Sequence, residues 1–201
     1  MIPNEGVIKF KFDWKKEPLP RSVDISELIS YRNKLYNIGL IGADKEGIGF
    51  GNISVLIKPS GEFVISASDT GRIKSARRFH FSLVQSVSIK DNFVSCIGMK
   101  PASSESMTHD IIYKLSPEVK SVLHVHSFRL WKKLMNKVPM TSKNISYGTS
   151  EMAYDIKRLW TQHDLKEKKI LVMKGHTNGL IVFGDSLKSA YNTLLFFIHG
   201  Y

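Results

Sequence analysis

The sequence contains a single cysteine, Cys96, and no apolar run long enough to span a membrane. One cysteine cannot form an intrachain disulfide, and this favours a reducing compartment. The first residues also lack the basic segment and the apolar stretch of a secretion signal. These absences predict a cytoplasmic protein that has no membrane partner.

Internal repeats and low-complexity linkers are absent as well. A chain of 201 residues is long enough to bury one full core, and its apolar fraction of 42% argues against disorder. We therefore expect an N-terminal arm over residues 1–21 and a single domain over residues 22–201.

Basic residues outnumber acidic ones by 29 to 18, which gives a formal net charge of +11. Such an excess attracts polyanions and phosphate esters. The lysines and arginines are scattered, however, without a long basic run or the interleaved aromatic residues of RNA-binding proteins. Solvated surface lysines explain most of the charge, so we expect no nucleic-acid partner. Attraction of a small phosphorylated substrate is compatible with the same excess.

Hydrophobic periodicity and turn residues predict one layered domain of the α+β or α/β/α type. Asp24 and Glu27 form a capping box, so a helix should begin there and end before Gly39. An arm or edge strand is expected at residues 7–10, and a loop over residues 47–51 should precede two antiparallel hairpins. The later elements are expected as strands at 121–125, 170–173 and 180–183, and as helices that begin after Ser103-Ser104, at Phe128, at Ser150 and at Asp185.

The most informative motif is His124-Val125-His126, at the end of an apolar run. Side chains alternate along a strand, so both imidazoles can point at one ion. His176 lies in a glycine-flanked turn between two apolar strands and could supply a third ligand. Three neutral imidazoles with an open position are typical of a catalytic Zn²⁺ site. Histidines spaced by two also occur as satisfied polar residues, and that alternative stays open.

The other four histidines are weaker candidates as ligands. His80, His163 and His199 lie in basic, charged or terminal segments, so we expect them at the surface. His109 follows Glu105 by four residues on the same helical face, and we expect it to pack behind the site.

Glu105 follows Ser103 and Ser104 at the predicted start of a helix. The hydroxyls and the exposed N–H groups there would bind an anion such as phosphate. A carboxylate beside a metal could also remove or return a proton next to a carbonyl. The alternative is that Glu105 only complements the helix dipole. Gly51-Asn52 and Asp69-Thr70-Gly71 are further turns that could cradle phosphate, although such turns often merely connect strands.

These segments, in this order, resemble the class II aldolase and adducin head domain family, and within it the fuculose-phosphate aldolases. The likeness extends over residues 22–200. It is carried by Gly49–Ser54, Thr70-Gly71, Gly98–Glu105, Ser121–Ser127, Tyr147–Thr149 and Gly175–Gly184. The resemblance implies a three-layer α/β/α fold with a central, mainly antiparallel sheet, and a homotetramer with sites between subunits.

The resemblance also implies a role for each candidate residue. Zn²⁺, or another divalent cation such as Mn²⁺ or Co²⁺, is held in that family by the histidines that match His124, His126 and His176. The glutamate that matches Glu105 is the acid/base. The substrate phosphate is bound by the segments that match Asn52, Thr70-Gly71 and Ser103-Ser104. The chain would thus be a metal-dependent lyase that cleaves a small phosphorylated ketose into a dihydroxyacetone-phosphate-like ketone and an aldehyde.

The sequence departs from the family pattern in two places. Family members commonly have glycine directly after the third histidine, whereas Thr177 and Asn178 separate His176 from Gly179. The tyrosine that sugar-phosphate aldolases contribute from a neighbouring subunit has no counterpart in residues 138–144.

Other functions on the same fold remain open. One is a pentulose-phosphate 4-epimerase or a thioribulose-phosphate dehydratase. Another is an adducin-like interaction domain, or a basic nucleic-acid binder, in which the site is vestigial.

Overall fold

Residues 7–57 and 61–200 of the protein, described as a computed structural model, form ten strands and six α-helices. The strands are β1 (Lys11–Lys15), β2 (Gly42–Ala43), β3 (Gly49–Phe50), β4 (Asn52–Leu56), β5 (Phe63–Ser66), β6 (Phe81–Ser88), β7 (Phe93–Gly98), β8 (Ser121–His126), β9 (Ile170–Val172) and β10 (Gly179–Gly184). The helices are α1 (Ser26–Asn37), α2 (Ser106–Leu115), α3 (Phe128–Leu134), α4 (Ser150–Gln162), α5 (Leu165–Lys168) and α6 (Leu187–His199). Within these residues, no helix is long and apolar enough to cross a membrane.

Eight strands form one sheet in the order β1-β7-β6-β5-β4-β8-β10-β9. All neighbouring strands pair antiparallel except β1 and β7, which are parallel. The mainly antiparallel sheet predicted from the sequence is therefore confirmed, as are both predicted hairpins. Lys58, Pro59 and Ser60, which separate β4 from β5 in the sequence, lie outside the described residues.

The sheet separates two hydrophobic cores. One core contains apolar side chains of α1, α3 and α6, and the other contains side chains of α2, α4 and α5. Along β8, Leu123 and Val125 enter the first core and Val122 enters the second. Helices therefore cover both faces of the sheet, which gives the three-layer α/β/α arrangement.

Of the two alternatives predicted for residues 7–10, an arm or an edge strand, the strand is wrong, because the edge strand lies at Lys11–Lys15. The polar groups of the predicted segment have other partners. The Val7 N–H donates to Tyr147 Oη, and Lys9 Nζ donates to the Tyr147 carbonyl. The ladder with β7 begins only at Lys11, opposite Phe93. Part of the predicted loop over 47–51 is likewise a strand, since β3 pairs with β2 in a separate ribbon.

The predicted capping box of α1 is also wrong. The helix begins at Ser26, with Ile25 at its N-cap and no side-chain cap bond. Asp24 lies one residue too early, and its Oδ1 accepts from the Ser26 N–H at 2.9 Å. The predicted C-terminal stop is confirmed, because Gly39 adopts a left-handed φ of 74°.

Two other helices begin one or two residues later than predicted. Glu105 itself is the N-cap of α2, and the upstream Ser103 Oγ accepts from the Glu105 N–H at 3.2 Å. At α6 the cap is Ser186 rather than Asp185, because the Ser186 hydroxyl accepts from the Ser189 N–H. Glu105 therefore lies directly before the first residue of α2, at the end of the preceding turn.

Arg32 of α1 fastens the turn that carries Thr70 and Gly71. Its side chain is 1% exposed and donates to the carbonyls of Thr70 at 2.6 Å, Gly71 at 2.9 Å and Ile73. Burial lowers the pKa of Arg32 to about 10, so the guanidinium stays protonated at neutral pH. Three carbonyl acceptors compensate for the buried charge.

We expect Arg32→Met to lower the free energy of unfolding by about 2–4 kcal/mol, because buried carbonyls would lose their donors. Urea denaturation followed by circular dichroism measures this. Arg129, which is exposed on α3, provides the control Arg129→Met. Equal denaturation midpoints for the two variants would contradict the anchoring role of Arg32.

Candidate metal centre

Three imidazoles converge at the end of β8. His124 and His126 belong to that strand, and His176 lies in the turn between β9 and β10. Their ligand nitrogens all lie within 4.8 Å of one another. The Nε2 atoms of His126 and His176 are 3.0 Å apart. The three predicted ligands are thus brought together.

The register of the sheet explains this convergence. Asn52 of β4 lies opposite His124, and Gly179 of β10 lies opposite His126. A Cβ at position 179 would lie 2.5 Å from His176 Cδ2 and 3.3 Å from His124 Nε2. Only glycine at this position leaves room for both rings.

The two residues inserted after His176 do not carry the ring away from the centre. Asn178 adopts a φ of 74°, and its carbonyl accepts from the Ser127 N–H at 3.0 Å. The Gly179 N–H returns to the His176 carbonyl at 2.9 Å. The turn is therefore fastened to the end of β8, so the longer spacing is compatible with a third ligand.

The donor set around His124 fits a divalent cation. His124 Nε2 is buried and has no hydrogen-bond partner among residues 7–57 and 61–200. Burial, followed by the neighbouring His126 and His176, holds the pKa of His124 well below 6.5, so the ring is neutral. A neutral imidazole with an unused nitrogen, beside two others, is what a transition-metal site requires.

Asn52 can select the tautomer that such a site needs. Its amide nitrogen lies 3.2 Å from His124 Nδ1, while its Oδ1 is buried without a partner in the described part of the chain. Turning the carboxamide by half a rotation places Oδ1 against Nδ1, where it accepts the ring proton. His124 Nε2 then keeps its lone pair for the metal.

All but one of the remaining predicted residues line a pocket that reaches His124 through Asn52. Asn52, which contacts His124, lines this pocket together with Gly49, Gly51, Ala67, Ser68, Asp69, Gly71, Ser103, Ser104 and Glu105. Glu105 is 1% exposed. Thr70 is buried behind the wall, where its hydroxyl donates to the Ala67 carbonyl at 2.6 Å. Of the predicted phosphate-binding set, Thr70 alone does not line the pocket.

Two aromatic side chains that the sequence analysis did not assign pack against the ligands. The Phe50 ring stacks on His126, with centroids 5.0 Å apart and planes 14° apart. The Tyr147 ring lies 4.7 Å from that of His176. Each aromatic residue precedes a glycine, Gly51 or Gly148, and that pairing was the only local signal for them.

His109 lies behind the site, on α2. Its Nδ1 is 2.7 Å from Ser54 Oγ, and Ser54 Oγ is 2.6 Å from the Tyr113 hydroxyl. Burial lowers the pKa of His109 to about 3 and raises that of Tyr113, so both are neutral at ordinary pH. The other histidines lie away from the centre. His163 and His199 are exposed, and His80 is half-buried.

Comparison with known proteins gives a consistent result. The family model described as Class II Aldolase and Adducin N-terminal domain matches residues 44–199. The L-fuculose-1-phosphate aldolase of Thermus thermophilus superposes with a TM-score of 0.59 at 20% identity, covering 84% of this chain and 86% of that one. The sugar-phosphate aldolase of Thermotoga maritima gives 0.65 at 18% identity, covering 86% and 89%. No curated protein matches significantly. At these identities the structural likeness establishes the fold alone.

We expect Gly179→Ala to weaken Zn²⁺ binding by about tenfold or more, because the new methyl group displaces the His176 ring. Competition with a chromophoric chelator measures the affinity. Thr177→Ala, an exposed change in the same turn, is the control. Wild-type affinity in Gly179→Ala would contradict the packing argument.

We expect the buried neutral His109 to make the metal-free protein less stable in acid. Its pKa is about 3 when folded, against 6.5 as the ordinary value, so its contribution is full above pH 6.5 and is lost as the pH falls toward 3. Between pH 7 and pH 5 this loss amounts to about 2 kcal/mol. Urea denaturation at both pH values should show a smaller loss in His109→Gln than in wild type. The exposed His163→Gln should behave as wild type, and parallel profiles for all three proteins would refute the expectation.

Proposed function

The chain belongs to the class II aldolase and adducin N-terminal domain family, and from this premise we propose that it is a metal-dependent lyase. The proposed reaction is the retro-aldol cleavage of a small phosphorylated ketose into a dihydroxyacetone-phosphate-like ketone and an aldehyde. The observation that carries the proposal is the convergence of three imidazoles beside a pocket that contains a buried carboxylate.

In this proposal His124, His126 and His176 hold the ion. Zn²⁺ is the first choice, and Mn²⁺ or Co²⁺ would also accept imidazole nitrogens. A divalent cation at this position would act as a Lewis acid on the carbonyl of the substrate. Imidazoles bind a metal in their neutral form, so this ligand set would leave the positive charge of the ion available for that task.

Glu105 is the proposed acid/base. Its carboxylate lines the same pocket as Asn52, which contacts the metal ligand His124. From that position it would remove or return the proton of the substrate carbon or hydroxyl that changes charge during cleavage. Its burial keeps bulk water from competing for that proton.

The proposed phosphate site is formed by other residues that line this pocket. Ser103 and Ser104 precede α2, Gly71 lies in the turn that Arg32 fastens, and Asn52 is the first residue of β4. Small side chains and backbone N–H groups at the start of a helix are suited to an anion. Thr70 would support the wall of the pocket from behind through its bond to the Ala67 carbonyl rather than by touching the phosphate.

Assembly as a homotetramer is part of the same proposal. Several large apolar side chains are exposed on the single chain, which is common where subunits meet. They include Phe79, Phe128, Tyr154 and Phe196. Every subunit of a homotetramer has the same sequence, so residues 138–144 of a neighbour would supply no tyrosine to this site.

A coupled assay for dihydroxyacetone phosphate tests the reaction on a panel of ketose 1-phosphates. His126→Ala should lose both the metal and turnover. Glu105→Gln should keep the metal but lose turnover by about a hundredfold or more, since a positioned acid/base contributes at least that much.

The alternatives have distinct products. Pentulose 5-phosphates epimerised without release of a triose phosphate would indicate a 4-epimerase, and dehydration of a thioribulose phosphate would indicate a dehydratase. Wild-type protein that retains no metal after incubation with Zn²⁺, Mn²⁺ or Co²⁺ would refute the catalytic proposal and leave a binding domain on the same fold.

A further inference from the structure

The N-terminal segment before β1 reaches the metal centre through Tyr147. The Val7 N–H donates to the Tyr147 hydroxyl at 3.3 Å, and Lys9 Nζ donates to the Tyr147 carbonyl at 3.2 Å. The same ammonium lies 3.5 Å from the centroid of the Tyr147 ring. The segment therefore contacts the backbone, the ring and the hydroxyl of one residue.

Tyr147 in turn packs against the third proposed metal ligand. Its ring is 4.7 Å from that of His176, and the two side chains belong to residues that are 3% and 7% exposed. The next residue, Gly148, is so close to Ser104 that a Cβ there would lie 2.4 Å from the Ser104 carbonyl oxygen. Tyr147 is thus held on a fixed turn between Lys9 and His176.

The contacting segment is anchored immediately after Lys9. Phe10 is 6% exposed and belongs to the second hydrophobic core, and Lys11 begins the ladder with β7. These residues precede residues 44–199, which the family model matches. The contact between Lys9 and Tyr147 is therefore made from outside the matched region of the chain.

We propose that Lys9 is a positioning residue of the metal centre. A cation over the face of an aromatic ring is attracted by the ring quadrupole, most strongly where water is excluded. The ammonium thereby holds the Tyr147 ring against His176 and keeps that imidazole oriented toward the ion. Groups that orient metal ligands from behind change metal affinity by about 10–100-fold when they are removed.

The first test compares Zn²⁺ affinity in Lys9→Met, Lys9→Arg and Lys11→Met by chelator competition. Lys9→Met should bind Zn²⁺ about tenfold more weakly, because it loses the cation but keeps the length of the side chain. Lys9→Arg should lie within about twofold of wild type, because it keeps a cation that can stack on the ring. Lys11→Met removes an exposed lysine two residues away and should change nothing.

The second test asks whether Lys9 acts through the ring. Tyr147→Phe keeps the aromatic face and should bind Zn²⁺ nearly as wild type does, whereas Tyr147→Leu should lose at least as much affinity as Lys9→Met. The double variant Lys9→Met/Tyr147→Leu should bind Zn²⁺ no more weakly than Tyr147→Leu alone, because both substitutions remove the same interaction. In Co²⁺-loaded protein, the visible absorption spectrum should change in Lys9→Met and return in Lys9→Arg.

Two results would overturn the proposal. Unchanged or tighter Zn²⁺ binding in Lys9→Met would mean that repulsion between the ammonium and the ion outweighs any positioning. Additive losses in the double variant would mean that Lys9 does not act through Tyr147. Thermal unfolding of each metal-free variant identifies those that do not fold. If Lys9→Met or Tyr147→Leu does not fold, the Zn²⁺ affinities of the conservative variants Lys9→Arg and Tyr147→Phe still test the proposal. Affinity is measured without substrate, so a failure of the lyase proposal would leave this test intact.

Discussion

The candidate metal centre depends on the register of β8 within the sheet. A strand shifted by one residue presents every side chain to the opposite face, so His124 and His126 could then no longer meet His176. In the observed register Leu123 and Val125 enter one core while Val122 enters the other. A shift by one residue would turn the polar His124 and His126 into the first core, and burial of unpaired polar groups is unfavourable. The apolar pattern that folds the sheet therefore also aligns the ligands. The alternation of side chains along β8 is enough to place His124 and His126 on the same face of the sheet.

The charges of the groups in the candidate site would complement one another. Burial keeps His124 neutral, with a pKa well below 6.5, and a set of neutral ligands leaves the full charge of a divalent cation in place. That charge would be balanced by Glu105 and by an anion on the wall formed by Ser103 and Ser104. A cation and an anion bound side by side in such a site would attract each other.

Much of this arrangement could be predicted because it is local. Alternation along β8 predicts that His124 and His126 share a face, and the glycine-flanked turn predicts that His176 can reach them. The predictions that were wrong concern helix and strand ends, where neighbouring residues compete for the same hydrogen bonds. Asp185 and Ser186 are both good caps, and only the backbone geometry selects Ser186. For Tyr147 the glycine that follows it was the only local signal, since its partners Lys9 and His176 are distant in the sequence. The roles assigned to Glu105 and the phosphate turns stay predictions.

The same packed residues support the pocket and the candidate metal centre. Gly71 packs so closely on the ribbon that a Cβ there would lie 2.6 Å from the Phe50 carbonyl oxygen, and the Phe50 ring stacks on His126. On the other side, the Tyr147–Gly148 turn contacts both Ser104 and His176. Each side of the pocket is therefore connected to one ligand through one aromatic residue. A substrate whose phosphate lies on these turns would have its distance to the metal fixed by packed side chains, which is the positioning that a reaction between two held groups requires.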